Sequence, residues 1–442
     1  MTRQRVLFIT TDPLTEAMPG PAIRAWHLAE ALSCDHDVTL VSSVACSRSH
    51  PDMDVRFADH EEVAELGDWM TVLVGPGSVV ARYPWVRSSD KPVVIDIYDP
   101  YHLENLARWS PSLDETDAVV RELNDVVNQD LARGDFFLCA SERQRDFWLG
   151  SLTAVGRVNA RTHHGDEGLE RLVSVVPFGV SARPPAHDGP GLADFFPPGR
   201  RPWPVLLWGG GVYDWLDPIT VLRAVHRLRD ELPEIFLVFM GMGHPNPEIP
   251  TMPVAERLRA TAEDLGMTAS SVAFNSAWVP YEQRAAALLD ATIGVTTNLE
   301  HLEARFSFRT RVLDYLWAGL PTVATAGDVL SQLVEDEGVG VAVPPGDVDA
   351  VADGIKKMAW APPSREAVRA VAHRFRWDQV AAPLLEYCAE PWRAADRGRG
   401  LLRPAALQGA GELDRQPMAR GLVPRGVRAA RRASRFARRW AK

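Results

Sequence analysis

The chain has few cysteines, no apolar run long enough to span a bilayer, and no apolar leader at its start. Its cysteines are Cys34, Cys46, Cys139 and Cys388, and their spacing fits neither a metal site nor a redox pair. We therefore expect no structural disulfide and no zinc site. The first predicted strand, at 5–10, begins without a preceding signal peptide. These absences predict a cytoplasmic protein.

Positive charge is concentrated at the C-terminal end. Residues 391–442 hold 14 Arg or Lys and three acids, a net charge of +11, which leaves −21 on the first 390 residues because the total is −10. Between 427 and 442, apolar residues recur at helical spacing among basic ones, which predicts a basic amphipathic helix. Such a helix can bind an anionic membrane surface, for example the inner face of the plasma membrane. A solubilising tail, or one folded back on the acidic body, is the alternative, and we expect no nucleic-acid partner.

Apolar segments of strand length alternate with helical patterns along most of the 442 residues, of which 46% are hydrophobic. The alternation restarts at residue 205, after the Pro- and Gly-rich stretch 184–204. This pattern indicates parallel sheets covered on both faces by helices. We predict an α/β protein with two doubly wound parallel-sheet domains facing a deep cleft, where ligands bind at the carboxyl ends of the strands.

A buried helix with one charged stripe is predicted at 308–318. Ser307 is a suitable N-cap and Gly319 a suitable left-handed stop. Ser307, Arg311 and Asp314 fall at i, i+4 and i+7, along one side of the helix. Because the other sides are apolar, this stripe is expected to meet a ligand or a partner. An internal ion pair between Arg311 and Asp314 is the alternative.

Two glycine-containing loops follow predicted strands. Gly209, Gly210 and Gly211 precede a helix whose N-cap is Asp217. Three glycines let the backbone approach an anion and direct its amides toward it, which suits a diphosphate. A structural turn is the alternative. Gly243 closes a G-x-G motif after the next strand, which is weak support for a ligand contact.

In this order the motifs resemble the GT-B glycosyltransferases, in particular the retaining family four, or group 1, which uses nucleotide-activated sugars. The resemblance covers about residues 5–390, and its landmarks are the segments 19–32, 139–145, 176–180, 303–325, 338–347 and 376–387. It implies an acceptor-side Rossmann-like domain at 1–183, a linker at 184–204, a donor domain at 205–375, a helix crossing back at 376–390 and a basic tail at 391–442.

The chain departs from the family at its signature pair of acids. The second acid corresponds to Asp314, which the resemblance implies holds two ribose hydroxyls. The first corresponds to Phe306, which cannot accept hydrogen bonds from a sugar. That role therefore passes to Glu303 or Glu300, or is lost.

The family's usual basic residues are also missing from the loop 208–218. Arg305, Arg309 and Arg311 are our candidates for neutralising the diphosphate, since guanidinium groups suit phosphate oxygens. Arg311 would then bridge the diphosphate and Asp314. Trp278 is a candidate for the base pocket, although a core position is the commoner role of such a residue.

In the first domain, Tyr98 stands where the family often has a histidine. Asp99 and His102 follow the strand and are candidates for the chemistry, with an Asx-turn acceptor and a helix-start residue as the respective alternatives. Gly20 and Arg24 would lie nearby, close to the departing phosphate.

The resemblance thus implies transfer of a sugar from a nucleoside diphosphate sugar to an acceptor hydroxyl, with retention and without a metal or other cofactor. The acceptor is unspecified and could be lipid-linked. An epimerase on the same fold and a noncatalytic nucleotide-sugar binding protein are the alternatives. The expected catalytic residues are Asp99, His102 and Arg309. The expected donor-binding residues are Gly20, Gly209, Gly210, Gly211, Gly243, Trp278, Glu303, Ser307, Phe308, Arg311 and Asp314.

Overall fold

The computed structural model describes residues 3–107, 112–200, 202–246, 249, 251–268 and 270–397. The predicted amphipathic helix at 427–442 lies outside these residues. The strands are β1 (Arg5–Thr10), β2 (Asp37–Ser42), β3 (Asp54–Phe57), β4 (Val72–Pro76), β5 (Val93–Asp96), β6 (Phe136–Cys139), β7 (Val173–Val175), β8 (Val205–Trp208), β9 (Phe236–Phe239), β10 (Val272–Phe274), β11 (Ile293–Thr296), β12 (Thr322–Thr325) and β13 (Gly340–Val343).

The helices of the first unit are α1 (Gly20–Ser33), α2 (His60–Trp69), α3 (Val79–Arg82), α4 (Trp85–Ser88), α5 (Tyr101–Ala107), α6 (Leu113–Arg133), α7 (Glu142–Ala154) and α8 (Ala160–His163). The helices of the second unit, which begins at β8, and of the C-terminal segment are α9 (Pro218–Leu228), α10 (Pro253–Asp264), α11 (Arg284–Asp290), α12 (Leu302–Phe306), α13 (Thr310–Ala318), α14 (Val329–Asp336), α15 (Val348–Trp360), α16 (Arg365–Ala372), α17 (Trp377–Val380) and α18 (Ala382–Ala389). Short 3-10 turns occur at Ala193–Phe195, Tyr281–Gln283 and His373–Phe375.

The strands form two fully parallel sheets. The first has the order β3-β2-β1-β4-β5-β6-β7, and the second has the order β10-β9-β8-β11-β12-β13. The direction of winding reverses between β1 and β4, and again between β8 and β11, which is where ligands bind in sheets of this kind. The predicted α/β fold of two doubly wound sheets is confirmed.

Local sequence explains why these elements form. All residues of β6 and β8 are buried, as expected for strands covered on both faces. Asp217 caps α9 by accepting a hydrogen bond from the Thr220 amide, and Pro218 occupies the first turn. Gly319 ends α13 in the left-handed conformation with φ 77°, as predicted.

The C-terminal elements return to the first unit. Val180 donates its amide hydrogen to Phe375 and accepts one from Trp377. In α18, the Tyr387 ring stacks on Phe136 of β6 with centroids 4.8 Å apart. These contacts hold the first sheet and the end of the described chain together.

The start of the segment assigned to the basic tail also packs on the first unit. Asp396 forms a buried ion pair with Arg157 at 3.0 Å, and the half-buried Arg397 forms an ion pair with the buried Asp135 at 2.9 Å. Residues 391–397 therefore belong structurally to the body of the protein.

Candidate functional site

A cavity of about 400 Å³ lies between the two sheets, at the carboxyl ends of their strands. Of the residues predicted for the site, those that line it are Gly20, Asp99, Gly209, Gly210, Gly211, Trp278, Phe308, Arg309, Arg311 and Asp314. The predicted residues His102, Gly243, Glu303 and Ser307 are not among its described lining residues. Both units therefore contribute to one cleft, and the glycine loop and α13 lie on the same wall of it.

The three amides of the glycine loop differ in their hydrogen bonding. The Gly209 amide donates to the Tyr315 hydroxyl at 2.8 Å, so it is already used. Gly210 has φ 104°, a conformation that favours glycine. Among the described residues, none accepts a hydrogen bond from the amides of Gly210 and Gly211. Two of the three amides therefore remain available for an anion in the cleft.

Arg311 lies beside this loop without a carboxylate partner among the described residues. Its Nη2 donates to the Gly211 carbonyl at 3.0 Å, and its guanidinium lies 4.8 Å from the Trp208 ring centroid. Its Nη1 is buried without a hydrogen-bond partner in the described part of the chain. Burial lowers the pKa of Arg311 from its usual value, which reflects the cost of a desolvated charge. An anion in the cleft would offset this cost.

Asp314 does not pair with Arg311. Its Oδ1 accepts a hydrogen bond from the Arg284 Nε at 3.0 Å, and its side chain remains 35% exposed on the cleft wall. The predicted bridge and the alternative internal ion pair between Arg311 and Asp314 are therefore both absent. The second carboxylate oxygen of Asp314 stays available for a ligand, and Arg284 is a contact that the sequence pattern did not indicate.

Glu303 is buried in an ion pair with Arg309. Its Oε2 lies 2.5 Å from the Arg309 Nη2, and the two side chains are 1% and 8% exposed. Glu303 is therefore not placed to contact a sugar in the cleft, although it was, with Glu300, one of our two candidates for the missing acid. The Arg309 Nε is buried without a hydrogen-bond partner among the described residues, and Arg309 lines the cavity. Arg309 therefore borders the cleft while its Nη2 is paired with Glu303.

Phe306 belongs to a contact between the two units. Its ring lies 4.7 Å from that of Phe147 on α7, and its carbonyl accepts a hydrogen bond from Gln144 at 2.8 Å. The position where the family carries its first acid is therefore used here for packing across the domain boundary.

The predicted N-cap at Ser307 is wrong. Helix α13 begins at Thr310, and Arg309 at its N-cap makes no side-chain capping bond. Ser307 instead donates its hydroxyl to the Ala304 carbonyl at 3.1 Å and follows the last residue of the short helix α12. A serine hydroxyl bonds as readily to a preceding turn as to a following helix, so its sequence position alone was ambiguous.

The first-unit wall of the cleft is acidic. Burial, and then the negative charge of Glu303, raises the pKa of Asp99 to about 7. Glu104 also lines the cavity, and burial followed by the charge of Asp99 raises its pKa well above the usual value. Glu104 was not predicted as a site residue, although it follows Asp99 by just over one helical turn. The Asp99 carboxyl can therefore hold or release a proton near neutral pH.

His102 faces the core instead of the cleft. Its ring stacks on Phe147 at 5.8 Å, and burial lowers its pKa to about 4. The structure thus does not place His102 where it could contact a reacting group. Arg24 is also buried, with Nε 2.6 Å from Asp96 Oδ2, so it does not serve a phosphate in this arrangement. Their positions after β5 and on α1 could not reveal these long-range contacts.

In the G-x-G motif, the first glycine, and not the predicted Gly243, lines the cavity. Gly241 lines the cavity, and a Cβ added to it would lie 3.0 Å from the Trp278 ring. Trp278 itself lines the cavity, as expected for a base pocket. A Cβ added to Gly243 would meet no described atom within 4 Å, so this glycine makes no close approach of this kind.

Within the described ranges, no three His, Cys, Asp or Glu side chains converge in a way that could hold a metal ion. In the same part of the chain, no helix has the length and apolar content needed to cross a membrane.

The two facing parallel sheets and the ligand-sized cleft between them define the GT-B class of fold. Residues 204–359 match the model of the family described as Glycosyl transferases group 1. This match covers the second unit, and together with the GT-B fold it supports a glycosyltransferase. No curated protein matches the chain by sequence.

Solved structures share the fold across most of the chain. Sucrose-phosphate synthase from Thermosynechococcus elongatus is 15% identical, with a TM-score of 0.62 over 88% of this chain and 99% of that one. HepE from Anabaena, solved in complex with UDP and glucose, is 13% identical, with a TM-score of 0.62 over 88% of this chain and 100% of that one. WaaG, a glycosyltransferase involved in lipopolysaccharide biosynthesis, is 15% identical, with a TM-score of 0.60 over 87% and 100%.

Proposed function

We propose that this protein transfers a sugar from a nucleoside diphosphate sugar to an acceptor hydroxyl, with retention, in the assembly of a glycoconjugate, an envelope polysaccharide or a natural product. The observation that carries the proposal is the buried Nη1 of Arg311, which lacks a hydrogen-bond partner among the described residues, while Nη2 of the same guanidinium donates to the Gly211 carbonyl of the glycine loop. A desolvated guanidinium beside free amides is suited to a diphosphate.

The rest of the donor fits around that anchor. The Asp314 carboxylate, which keeps one oxygen free of Arg284, would accept hydrogen bonds from the ribose hydroxyls. Trp278 on the same cavity would contact the base. A uridine nucleotide is the first candidate, because the structural neighbour HepE was solved with UDP and with UDP-glucose.

The proposed chemistry depends on charge stabilisation. The bond between the anomeric carbon and the diphosphate oxygen breaks while the acceptor oxygen bonds to that carbon. The acceptor proton passes to the leaving phosphate, so no metal and no dedicated base are required. Arg311 and the two free amides would stabilise the charge that develops on the leaving group. Asp99, half-buried on the opposite wall, would orient the acceptor hydroxyl by a hydrogen bond.

A noncatalytic nucleotide-sugar binding protein is the second candidate. Phe306 favours it, because this ring packs on Phe147 where the family has an acid, and Glu303 is tied to Arg309. Such a protein would bind the donor without releasing nucleoside diphosphate.

A thermal-shift screen of uridine, guanosine, adenosine and thymidine diphosphates and their sugars tests binding, because a ligand specific to the folded state raises its stability. At least one nucleotide should raise the melting temperature. Asp314→Ala should abolish that rise, whereas Asp378→Ala, in an exposed pair with Arg376, should not. A rise that persists in Asp314→Ala would remove Asp314 from the site.

Turnover separates the two candidates. With the nucleotide sugar that binds, release of nucleoside diphosphate should accelerate on addition of an acceptor from a panel of sugars and lipid-linked sugars. Tight binding without acceptor-dependent release across this panel would favour the noncatalytic protein. Interconversion of the nucleotide sugar without an acceptor would instead indicate an epimerase.

We also propose that the basic tail brings the enzyme to an anionic membrane surface where a lipid-linked acceptor is available. A chain ending at Arg397 keeps the ion pairs of Asp396 and Arg397 with the first unit. This truncated chain should no longer sediment with vesicles containing phosphatidylglycerol, whereas the full chain should. If the full chain does not sediment, the tail has another role.

A further inference from the structure

Arg284 is held by three directed contacts and two aromatic rings. Its Nε donates to Asp314 at 3.0 Å, its Nη1 donates to the Tyr281 carbonyl at 2.9 Å, and its Nη2 donates to the Tyr281 hydroxyl at 3.1 Å. Its guanidinium carbon lies 3.8 Å from the Tyr281 ring centroid and 4.8 Å from that of Trp317. A guanidinium held in one orientation also restricts the orientation of the carboxylate to which it is hydrogen-bonded.

Tyr281 belongs to the second unit by sequence, but it makes hydrogen bonds with residues of the first unit. Its amide donates to the Glu16 carbonyl at 2.9 Å, and its hydroxyl lies 3.0 Å from the His27 Nε2. Tyr281 is 7% exposed. The hydroxyl that accepts a hydrogen bond from Arg284 is therefore anchored to α1 across the cleft.

His27 continues the chain of contacts. Its Nδ1 lies 2.8 Å from Glu30, and its ring stacks on Trp377 of α17 at 5.1 Å. One assignment of protons satisfies every link: Nδ1–H donates to Glu30, Nε2 accepts from the Tyr281 hydroxyl, and that hydroxyl accepts from Arg284. The series thus runs from helix α1 and the returning helix α17 to the Asp314 carboxylate in the cleft.

We propose that Arg284 is a positioning residue that orients the Asp314 carboxylate toward the donor ribose, and that this orientation depends on the closed arrangement of the two units. Tyr281 and His27 provide that dependence, because they connect Arg284 to the first unit. This inference rests on the proposed function, because it assigns Asp314 to the ribose. Separation of the units would break the contacts of Tyr281 with Glu16 and His27 and release Arg284. Ribose binding and closure would therefore stabilise each other.

The experiment uses the full chain and the nucleoside diphosphate that binds tightest among those of uridine, guanosine and adenosine, together with its 2′-deoxy analogue. Isothermal titration gives both dissociation constants. In the wild type, the ribonucleotide should bind roughly tenfold tighter than the deoxy form, because one hydrogen bond to a carboxylate is lost. In Tyr281→Phe, this ratio should fall below about threefold, since Arg284 loses the hydroxyl contact that fixes its orientation beside Asp314.

A matched control is Tyr387→Phe, which removes another buried hydroxyl that bonds only within the body of the protein, to the Trp392 carbonyl at 2.6 Å. It should leave the ratio unchanged even if it lowers the melting temperature. Arg284→Gln should weaken ribonucleotide binding, whereas a merely competing Arg284 would, on removal, free Asp314 and tighten it.

An unchanged ratio in Tyr281→Phe, or tighter binding in Arg284→Gln, would overturn the inference while leaving the proposed function intact. If the wild type binds none of the nucleotides, the inference and the proposed function fail together.

Discussion

The Nη2 atom of Arg309 lies 2.5 Å from the Oε2 atom of Glu303, and both side chains are buried. Removing one partner of such a pair leaves the other charge uncompensated in a desolvated place. Glu303→Gln should therefore lower the free energy of unfolding by about 3–5 kcal/mol. Urea denaturation measures this loss.

The exposed ion pair of Asp117 with Arg121 on α6 supplies the comparison. Asp117→Asn should change the urea midpoint little, because exposed pairs contribute little to stability. Equal effects of Glu303→Gln and Asp117→Asn would contradict the assignment of a strong buried pair to Glu303 and Arg309.

Asp99 should make stability depend on pH. Burial, and then the charge of Glu303, raises its pKa from 3.8 to about 7. Between these values the folded protein keeps a proton that the unfolded chain has released, so the free energy of unfolding falls as pH rises through this window. Asp99→Asn removes this contribution. Melting temperatures measured from pH 4.5 to 8 should therefore fall less steeply in the variant, and parallel curves would show that Asp99 is not responsible.

The variant Phe306→Glu tests whether a carboxylate at position 306 can take the role of the family's first acid. The side chain at 306 packs on Phe147, so Phe306→Glu places a carboxylate against an aromatic ring and not in the cleft. The variant should unfold at a lower temperature and bind the nucleotide sugar no more tightly than the wild type. Phe306→Leu, which keeps an apolar contact, should be milder. Tighter donor binding by Phe306→Glu would mean that this side chain reaches the sugar.

The sequence was sufficient to predict the features that depend on residues close together along the chain. The buried strands, the glycine loop after β8 and the left-handed stop at Gly319 follow from apolar runs and from backbone preferences. The sequence could not show that Glu303 pairs with Arg309 or that Asp314 pairs with Arg284, because several pairings of these charges satisfy the same spacing. Only the packed fold selects among them.

Burial was the other property that the sequence concealed. His102 follows β5 as a cleft residue would, yet it turns toward Phe147 because α7 packs there, and α7 was not predicted. The same packing explains the contact of Phe306 with the first unit. Polar residues at strand ends therefore led to the cleft between the sheets, but did not show which side chains line it.

The central claim is that Arg311 and the glycine loop bind the diphosphate of the donor. Isothermal titration of wild type and Arg311→Gln with a nucleoside diphosphate and with the corresponding unphosphorylated nucleoside tests it most directly. We predict that the variant, with unchanged circular dichroism, binds the diphosphate about 10- to 100-fold more weakly, as expected for losing a charged hydrogen-bond donor, and binds the nucleoside as the wild type does. Unaltered diphosphate affinity, or an equal loss for both ligands, would contradict the account.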